Sequence, residues 1–373
     1  MDIDTLRERI DEVDAKLLGL FERRMEIARE IARYKEDNGL PVTDAGRERA
    51  LLDERASRVK DKRLAGAARS FFRFLMDMSK EEQRRVKEAA KGPAAPAART
   101  AGAAYQGVPG AYAEEALIAC FGTDSPRKPV RRFEDVFAAV AGGEAAHGVL
   151  PIENTTTGAV IEVHELLERY PCHIVGEAVI RIEHCLLGVP GADVGDVLKV
   201  YSHPQGLSQC ARFLDAHPDW ERIPYYNTAV SARFVAEKGD RALAAVASRH
   251  AAAIYGLDVL SDNIQDAPDN HTRFIVIAGE PDAAGSDKVS ILIRLDNTSG
   301  TLYNALGPLA EAGINMLRIE ARPARDTNWE YLFFIDFKGE EDDPRIAPVL
   351  AELEKRSRSV RVLGRYKSAE GAK

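Results

Sequence analysis

The chain has 373 residues, 45% of them hydrophobic and 29% charged, and a formal net charge of −8. That suffices for two or three domains with ordinary cores, and an acidic balance without a long basic block speaks against nucleic acid as a partner. No apolar stretch approaches the roughly 20 residues that span a bilayer, and the charged, periodic start "MDIDTLRERIDEVD" is no secretory signal, so no membrane association is expected.

Residues 1–90 read as helix almost throughout. Leu6, Ile10, Val13, Leu17, Leu20, Ile27, Ile31 and Tyr34 follow steps of four and three, a heptad seam. "NGLPVTD" supplies a turn and an N-cap for a second helix from about Asp44 to Lys60. A third runs from about Leu64 to Ala90. The first helix would be ~50 Å long at ~1.5 Å per residue. Three helices, one so long, make a poor monomer, and a dimer sharing helices is expected.

Where the seam should next be apolar stands Arg24. Lys35 lies about 20° from it on an ideal wheel, three turns along, so both face one groove. Arg7 is about 100° off that face and reaches more naturally into a neighbouring subunit's groove. Asp44, Arg47 and Glu48 open the second helix, and Ser79 and Gln83 form an i, i+4 pair on the third. A snorkelling arginine on a solvated face would explain Arg24 alone. The whole set points to an anionic ligand. Buried cations need anionic partners, no acidic residue occupies the seam around Arg24, and guanidinium groups bind carboxylates bidentately.

This segment resembles the all-α chorismate mutases, intertwined dimers of three-helix chains that turn chorismate into prephenate. The resemblance implies that Arg7, Arg24 and Arg47 hold carboxylates, Arg7 coming from the partner chain. Lys35 and Gln83 would donate to the ether oxygen, and Glu48 and Ser79 would position the ring hydroxyl and nearby groups, with Asp44 in the same substrate-binding set. A pericyclic rearrangement needs no nucleophile. The protein has to fold the enolpyruvyl arm over the ring and stabilise charge on the breaking ether. Gln83 is neutral at every pH, so activity need not depend on an acid there.

Residues 91–103 are Ala/Pro/Gly-rich and lack a large apolar residue, which predicts a linker. Residues 104–280 alternate short apolar runs with helical patterns and read as α/β with a mostly parallel sheet. Ligands in such folds sit at the carboxyl ends of strands. Four polar clusters stand there: "YQGVPGAY" at 105–112, "PIENTTTG" at 151–158, "YSHPQGLSQC" at 201–210 and "NHTRF" at 270–274. Each alone is ordinary turn chemistry. Together they resemble the prephenate dehydratases, whose two-lobed fold is like that of periplasmic binding proteins, with the site in the cleft.

That resemblance implies loss of the ring hydroxyl and the carboxylate together, giving phenylpyruvate. Thr272 would assist departure of hydroxide as a hydrogen-bond donor. Arg273 would face or support a carboxylate, and Asn154 and Gln209 would bind substrate. Glu153 would orient its neighbours or cap the helix beginning near Gly158. Ala113 stands where family members often carry a hydroxyl, which would alter affinity here.

Residues 286–373 read strand, helix, strand, strand, helix, strand, an α+β ferredoxin-like sandwich. "SGTLYNALGPLAEAGINMLRIEARP" resembles an ACT domain, the module that binds amino acids at dimer interfaces. The resemblance implies a phenylalanine pocket at Gly300, Thr301 and Leu302, with Asn315, Met316, Leu317 and Glu320. Both motifs depart from the dehydratase pattern, at Thr301, Tyr303 and Ala321.

Four cysteines (Cys120, Cys172, Cys185 and Cys210) lie far apart without a CxxC pair, which predicts free thiols in a reducing, cytoplasmic setting. Eight histidines show no metal spacing. Neither metal nor cofactor is expected. The reading is a bifunctional enzyme with chorismate, prephenate and phenylalanine as ligands, a homodimer or homotetramer. Arogenate dehydratase specificity and a non-catalytic sensor are the alternatives.

Overall fold

The computed structural model describes residues 3–37, 51–52, 54–55, 57–90, 102–324 and 330–369. The chain divides near residue 95 into two compact units. Asp44, Arg47 and Glu48 lie outside the described residues, as do residues 91–101 of the expected linker.

In the first unit, helix α1 (Ile3–Asp37) carries Asp4 in its first turn and Lys35 in its last, both matched to the helix dipole. Residues 51–52, 54–55 and 57–58 are helical. Asp61 then caps a single 3-10 turn, accepting from the backbone N–H of Arg63 at 3.0 Å, and α2 (Ala65–Ala90) follows. α1 packs along α2. Met25, Ala28 and Ala32, at helical spacing, are buried, while the large seam residues Leu6 to Tyr34 are 40–65% exposed. α1 therefore has two apolar faces. The small one is covered within the unit, and the heptad seam is open.

In the second unit, β1 (Ala103–Gln106), β2 (Arg127–Val130), β3 (His147–Asn154), β4 (Gly158–Ala159), β5 (His173–Arg181) and β11 (His271–Ala278) form one sheet in the order β2-β1-β3-β11-β5, with β4 on β3. Helices α3 (Tyr112–Phe121), α4 (Phe133–Ala141) and α5 (Ile161–Arg169) accompany it. The chain crosses at residues 182–184 into a second sheet. Its strands are β6 (Cys185–Gly188), β7 (Lys199–Ser202), β8 (Glu221–Pro224), β9 (Leu243–Ala247) and β10 (Asp258–Ser261), in the order β10-β6-β9-β7-β8. α6 (Pro204–Gln209), α7 (Ala211–Asp215), α8 (Thr228–Lys238) and α9 (Arg249–Tyr255) belong to this lobe. Residues 262–270 return to β11.

Both sheets are mixed, which corrects the mostly parallel sheet expected. β11 runs antiparallel to β3 and β5, and β6 runs antiparallel to β9 and β10. A strand that comes back from the other lobe enters the sheet against its neighbours, and hydrophobic runs alone do not encode that direction.

The C-terminal part has β12 (Lys288–Leu295), α10 (Thr301–Glu311), β13 (Met316–Pro323), β14 (Tyr331–Lys338), α11 (Ile346–Arg356) and β15 (Ser359–Tyr366). Its antiparallel sheet has the order β13-β14-β12-β15. One face buries Ile291, Ile293, Ile335 and Phe337 against Leu309, Val349 and Leu353 of the helices. The other contributes Leu292, Phe334 and Leu363 to a core shared with Leu150, Ile275 and Ile277 of the first lobe. β15 comes so close to β5 that a Cβ on Gly364 would lie 2.0 Å from the Ile174 carbonyl oxygen. Only glycine permits that approach. All four cysteines are free. Among the described residues no helix is long and apolar enough to cross a membrane.

Candidate functional site

In the helical unit Arg24 reaches α2. Its Nη1 donates to the Leu75 carbonyl at 2.5 Å and to Ser79 Oγ, and Ser79 Oγ donates to the same carbonyl at 2.9 Å. Ser79 and Gln83, one turn apart, are both buried. Burial pushes the Arg24 pKa down, and the charge of Arg55 pushes it further. Arg55, which the sequence did not single out, lies with its guanidinium 5.7 Å from the Phe72 ring centre. Among the described residues, Arg55 Nε and Gln83 Oε1 are buried without a hydrogen-bond partner. Two cations and an unpartnered amide oxygen thus share this part of the helical unit. Arg7 is largely exposed and bonds to Asp4 at 3.1 Å. It lies about 25 Å along α1 from Arg24, so one chain does not bring them together. Lys35 is half-buried three turns beyond Arg24.

In the two-lobed part the structure joins three of the expected residues. Asn154 ends β3 and Thr272 lies opposite it on β11. Asn154 Oδ1 accepts from the backbone N–H groups of Thr156 and Thr157 at 3.0 and 3.1 Å. Those donors fix the amide, so Nδ2 must face the other way. There it donates to Asn270 Oδ1 (2.8 Å), Thr272 Oγ1 (2.9 Å) and the His271 carbonyl (3.1 Å). Thr272 Oγ1 is therefore an acceptor toward Asn154, and its own proton points elsewhere. Asn270 Nδ2 is buried and has no partner among the described residues.

Gln209, on α6 of the other lobe, closes the circuit. Its Nε2 donates to Thr156 Oγ1 at 3.0 Å, and Thr156 Oγ1 donates to Asn154 Oδ1 at 2.6 Å. Its Oε1 accepts from His184 Nε2 at 2.9 Å. Burial keeps the His184 pKa below its ordinary value, so this histidine is neutral. The Tyr112 hydroxyl donates its one proton to the Glu183 carbonyl at 2.7 Å and lies 3.1 Å from His184 Nδ1. A chain of hydrogen bonds thus runs from His184 across the cleft to Thr272. Tyr112, His184, Thr156 and Asn270 were missed as site residues. Tyr112, Thr156 and Asn270 sit in quoted polar clusters, but His184 carries no such signal. Ala113 is buried against Tyr105 and Leu117.

Arg273 turns away from this group. Consecutive strand residues face opposite sides, and Arg273 pairs with Glu153, with Asp336 at 3.4 Å and with Glu177 at 3.8 Å. Burial acts to lower its pKa, and Asp336, Glu177 and Glu153 together hold it above the ordinary value.

Comparison with known proteins matches the chain along its length. The family model for chorismate mutase type II matches residues 6–84, that for prephenate dehydratase 103–282, and that for the ACT domain 289–355. A protein of Neisseria gonorrhoeae named bifunctional chorismate mutase/prephenate dehydratase is 34% identical over 367 residues, covering 97% of this chain and 96% of its own. The chain belongs to the bifunctional chorismate mutase/prephenate dehydratase family. Among solved structures, prephenate dehydratase from Arthrobacter aurescens in complex with L-Phe is 31% identical, with a TM-score of 0.67, covering 72% of this chain and 90% of that one. A chain described as a novel type of quorum quenching acylase is 34% identical, with a TM-score of 0.66, covering 72% and 98%.

In this bifunctional mutase–dehydratase chain the dehydratase lobe and the ACT domain meet through buried charge. Lys288 Nζ bonds to Glu177 at 2.8 Å and lies 3.8 Å from Asp336. Asp336 accepts from Ser290 Oγ at 2.6 Å. Removing Lys288 leaves buried carboxylates that Arg273, 3.8 and 3.4 Å away, compensates only in part. Lys288→Met is expected to cost about 3–5 kcal/mol of unfolding free energy, read from urea melts.

His164 is fully buried, and its pKa is lowered to about 4 from 6.5, burial being the main cause and the nearby Arg318 and Arg322 adding to it. The folded state keeps it neutral where the unfolded chain takes up a proton. Its contribution is complete above pH 6.5 and is lost as pH falls toward 4, a change of about 3 kcal/mol. Denaturant midpoints at pH 7.5 and 5 should shift more for wild type than for His164→Gln.

In the ACT domain Gly300 (φ +84°) caps α10 in the left-handed region that favours glycine. Thr298 Oγ1 and Thr301 Oγ1 lie 2.6 Å apart beside it. Asn315, Met316 and Leu317 stand at the far end of α10, which is about 16 Å long, so one chain keeps them apart from Gly300, Thr301 and Leu302. Glu320 accepts from Arg322 at 3.2 Å. β13 is an edge strand, and Met316, Leu317 and Ile319 on it are exposed.

Proposed function

We propose that residues 1–90 rearrange chorismate to prephenate, that residues 104–280 convert prephenate to phenylpyruvate, and that residues 286–373 bind phenylalanine and restrain the second reaction. The observation that carries the dehydratase reading is the fixed Asn154 amide. It makes Thr272 accept from Asn154 and leaves the hydroxyl proton for a ligand. As the carboxylate carbon–carbon bond breaks, its electrons move through the ring and expel the ring hydroxyl as carbon dioxide leaves. Thr272 donates to the departing oxygen, Asn154 orients Thr272, and Asn270 and Gln209 hold the substrate. No metal and no cofactor enters this reaction.

In the mutase, Arg24 holds a carboxylate while Ser79 positions it, and Lys35 and Gln83 face the ether oxygen. Arg47, Glu48 and Asp44 complete the set. Arg7 serves a partner's site. Its distance from Arg24 and the open seam on α1 support a homodimer that shares helices, and the edge strand β13 supports pairing of ACT domains. The finer folds follow the family: an intertwined mutase dimer, a two-lobed dehydratase like a periplasmic binding protein, and a ferredoxin-like ACT sandwich, in the cytoplasm. Separate assays with chorismate and with prephenate, each with and without L-phenylalanine, test the reading. Loss of both substrates, with phenylalanine slowing the second, is expected. Faster turnover of arogenate than of prephenate would replace the dehydratase assignment.

A further inference from the structure

Arg273 and Glu153 occupy the face of the first sheet opposite the Asn154–Thr272 pair. The register explains why. Leu150 and Ile152 face the ACT domain, so strict alternation would turn Glu153 toward the cleft and Asn154 away from it. A bulge at Ile152, between the Arg273–Glu153 and Phe274–Pro151 pairs, inverts this. Bulges re-aim side chains next to sites. Here the bulge sends Asn154 to Thr272 and puts Glu153 directly behind it.

The Glu153 carboxylate bonds to Arg273 and lies 3.4 Å from Arg318 Nε. Arg318 is on β13 of the ACT domain. Its Nη2 donates to His164 Nε2 at 3.1 Å, and His164 Nδ1–H donates to the Val160 carbonyl at 2.9 Å. Glu153 and Val160 are the two legs of one hairpin, for the Val160 N–H bonds to the Ile152 carbonyl at 3.0 Å and Glu153 pairs with Ala159. The tip of that hairpin holds Asn154, Thr156 and Thr157, which bond to Thr272, Gln209 and Gln205. A single guanidinium from the ACT domain therefore grips both legs of the loop that forms one wall of the cleft. β13 has a bulge of its own between Met316 and Arg318, so Leu317 is the irregular residue immediately before Arg318.

We propose that Arg318 is a positioning residue for the dehydratase reaction, and that the ACT domain acts on Thr272 through it, by way of Glu153, Asn154 and the hairpin tip. The proposal rests on the phenylalanine-regulated dehydratase reading. A ligand that touches Met316 or Leu317 shifts the next residue on the strand. Release of Glu153 by Arg318 loosens Asn154 and with it the direction of the Thr272 proton.

The test uses the full chain with Arg318→Met and Glu153→Gln. L-phenylalanine binding is followed by calorimetry, and prephenate turnover is followed with and without saturating L-phenylalanine. Both variants should bind phenylalanine as wild type does. Their inhibition should be at least about ten-fold weaker, a coupling loss within the range usual for allosteric sites. Without phenylalanine, kcat should fall while KM stays near wild type, and the double variant should match the single ones. Glu153→Gln keeps the side-chain volume and reads the same link should Arg318→Met fold poorly. Full inhibition of both variants beside an inhibited wild type overturns the proposal alone. Loss of phenylalanine binding by Arg318→Met makes Arg318 an effector contact and also overturns it. A wild type indifferent to phenylalanine overturns the regulatory reading and this proposal with it.

Discussion

Thr272→Val should lower phenylpyruvate formation from prephenate by about 10²–10⁴-fold, the range for a lost proton or hydrogen-bond donor at a leaving group. Chorismate consumption should be unchanged, because the helical unit holds its own set of residues. The substitution keeps shape and removes only the hydroxyl. Asn154 Nδ2 has two hydrogens and, without Thr272 Oγ1, still has Asn270 Oδ1 and the His271 carbonyl within reach. No buried donor is stranded, so the fold should survive and prephenate should still bind. Rapid-quench assays on prephenate, beside a binding isotherm, separate lost chemistry from lost affinity. Tight binding with no product would place Thr272 at the chemical step.

The second large effect is at Arg24. Arg24→Met should cut chorismate turnover by about 10²–10³-fold, as loss of one preorganised charge at a reacting group does, and should leave prephenate turnover alone. The stability of the helical unit should hold. Arg24 is a cation disfavoured by its own burial and by Arg55, and removing it relieves that repulsion. An ordinary structural arginine would behave oppositely, with stability falling and activity following it. Thermal melts of the variant beside chorismate assays distinguish the two.

The sequence made the long first helix, the βαββαβ order and the polar clusters at strand ends legible, because each is a local pattern of spacing or turn chemistry. Thr272, Asn154 and Gln209 lie in those clusters, the family resemblance picks them out, and they meet in space. Arg273 was grouped with Thr272 as a neighbour in "NHTRF", yet strand alternation separates their faces, a signal already present in the dipeptide. The bulge at Ile152 left no such mark. It is set by pairing with a strand more than a hundred residues later. His184 is one histidine in an apolar run, and only the fold brings its ring between Tyr112 and Gln209. The antiparallel direction of β11 is hidden for a similar reason, since an apolar run does not state which lobe the chain has come from. Arg55 is one charge among many in its stretch of sequence, and only the fold brings it near Arg24.

The most direct measurement supplies chorismate alone to the purified full-length chain and follows chorismate, prephenate and phenylpyruvate together. Two sites on one polypeptide predict that phenylpyruvate appears after a transient of prephenate, and that L-phenylalanine lengthens that transient. Prephenate that accumulates without phenylpyruvate, or chorismate that is not consumed, would contradict the account.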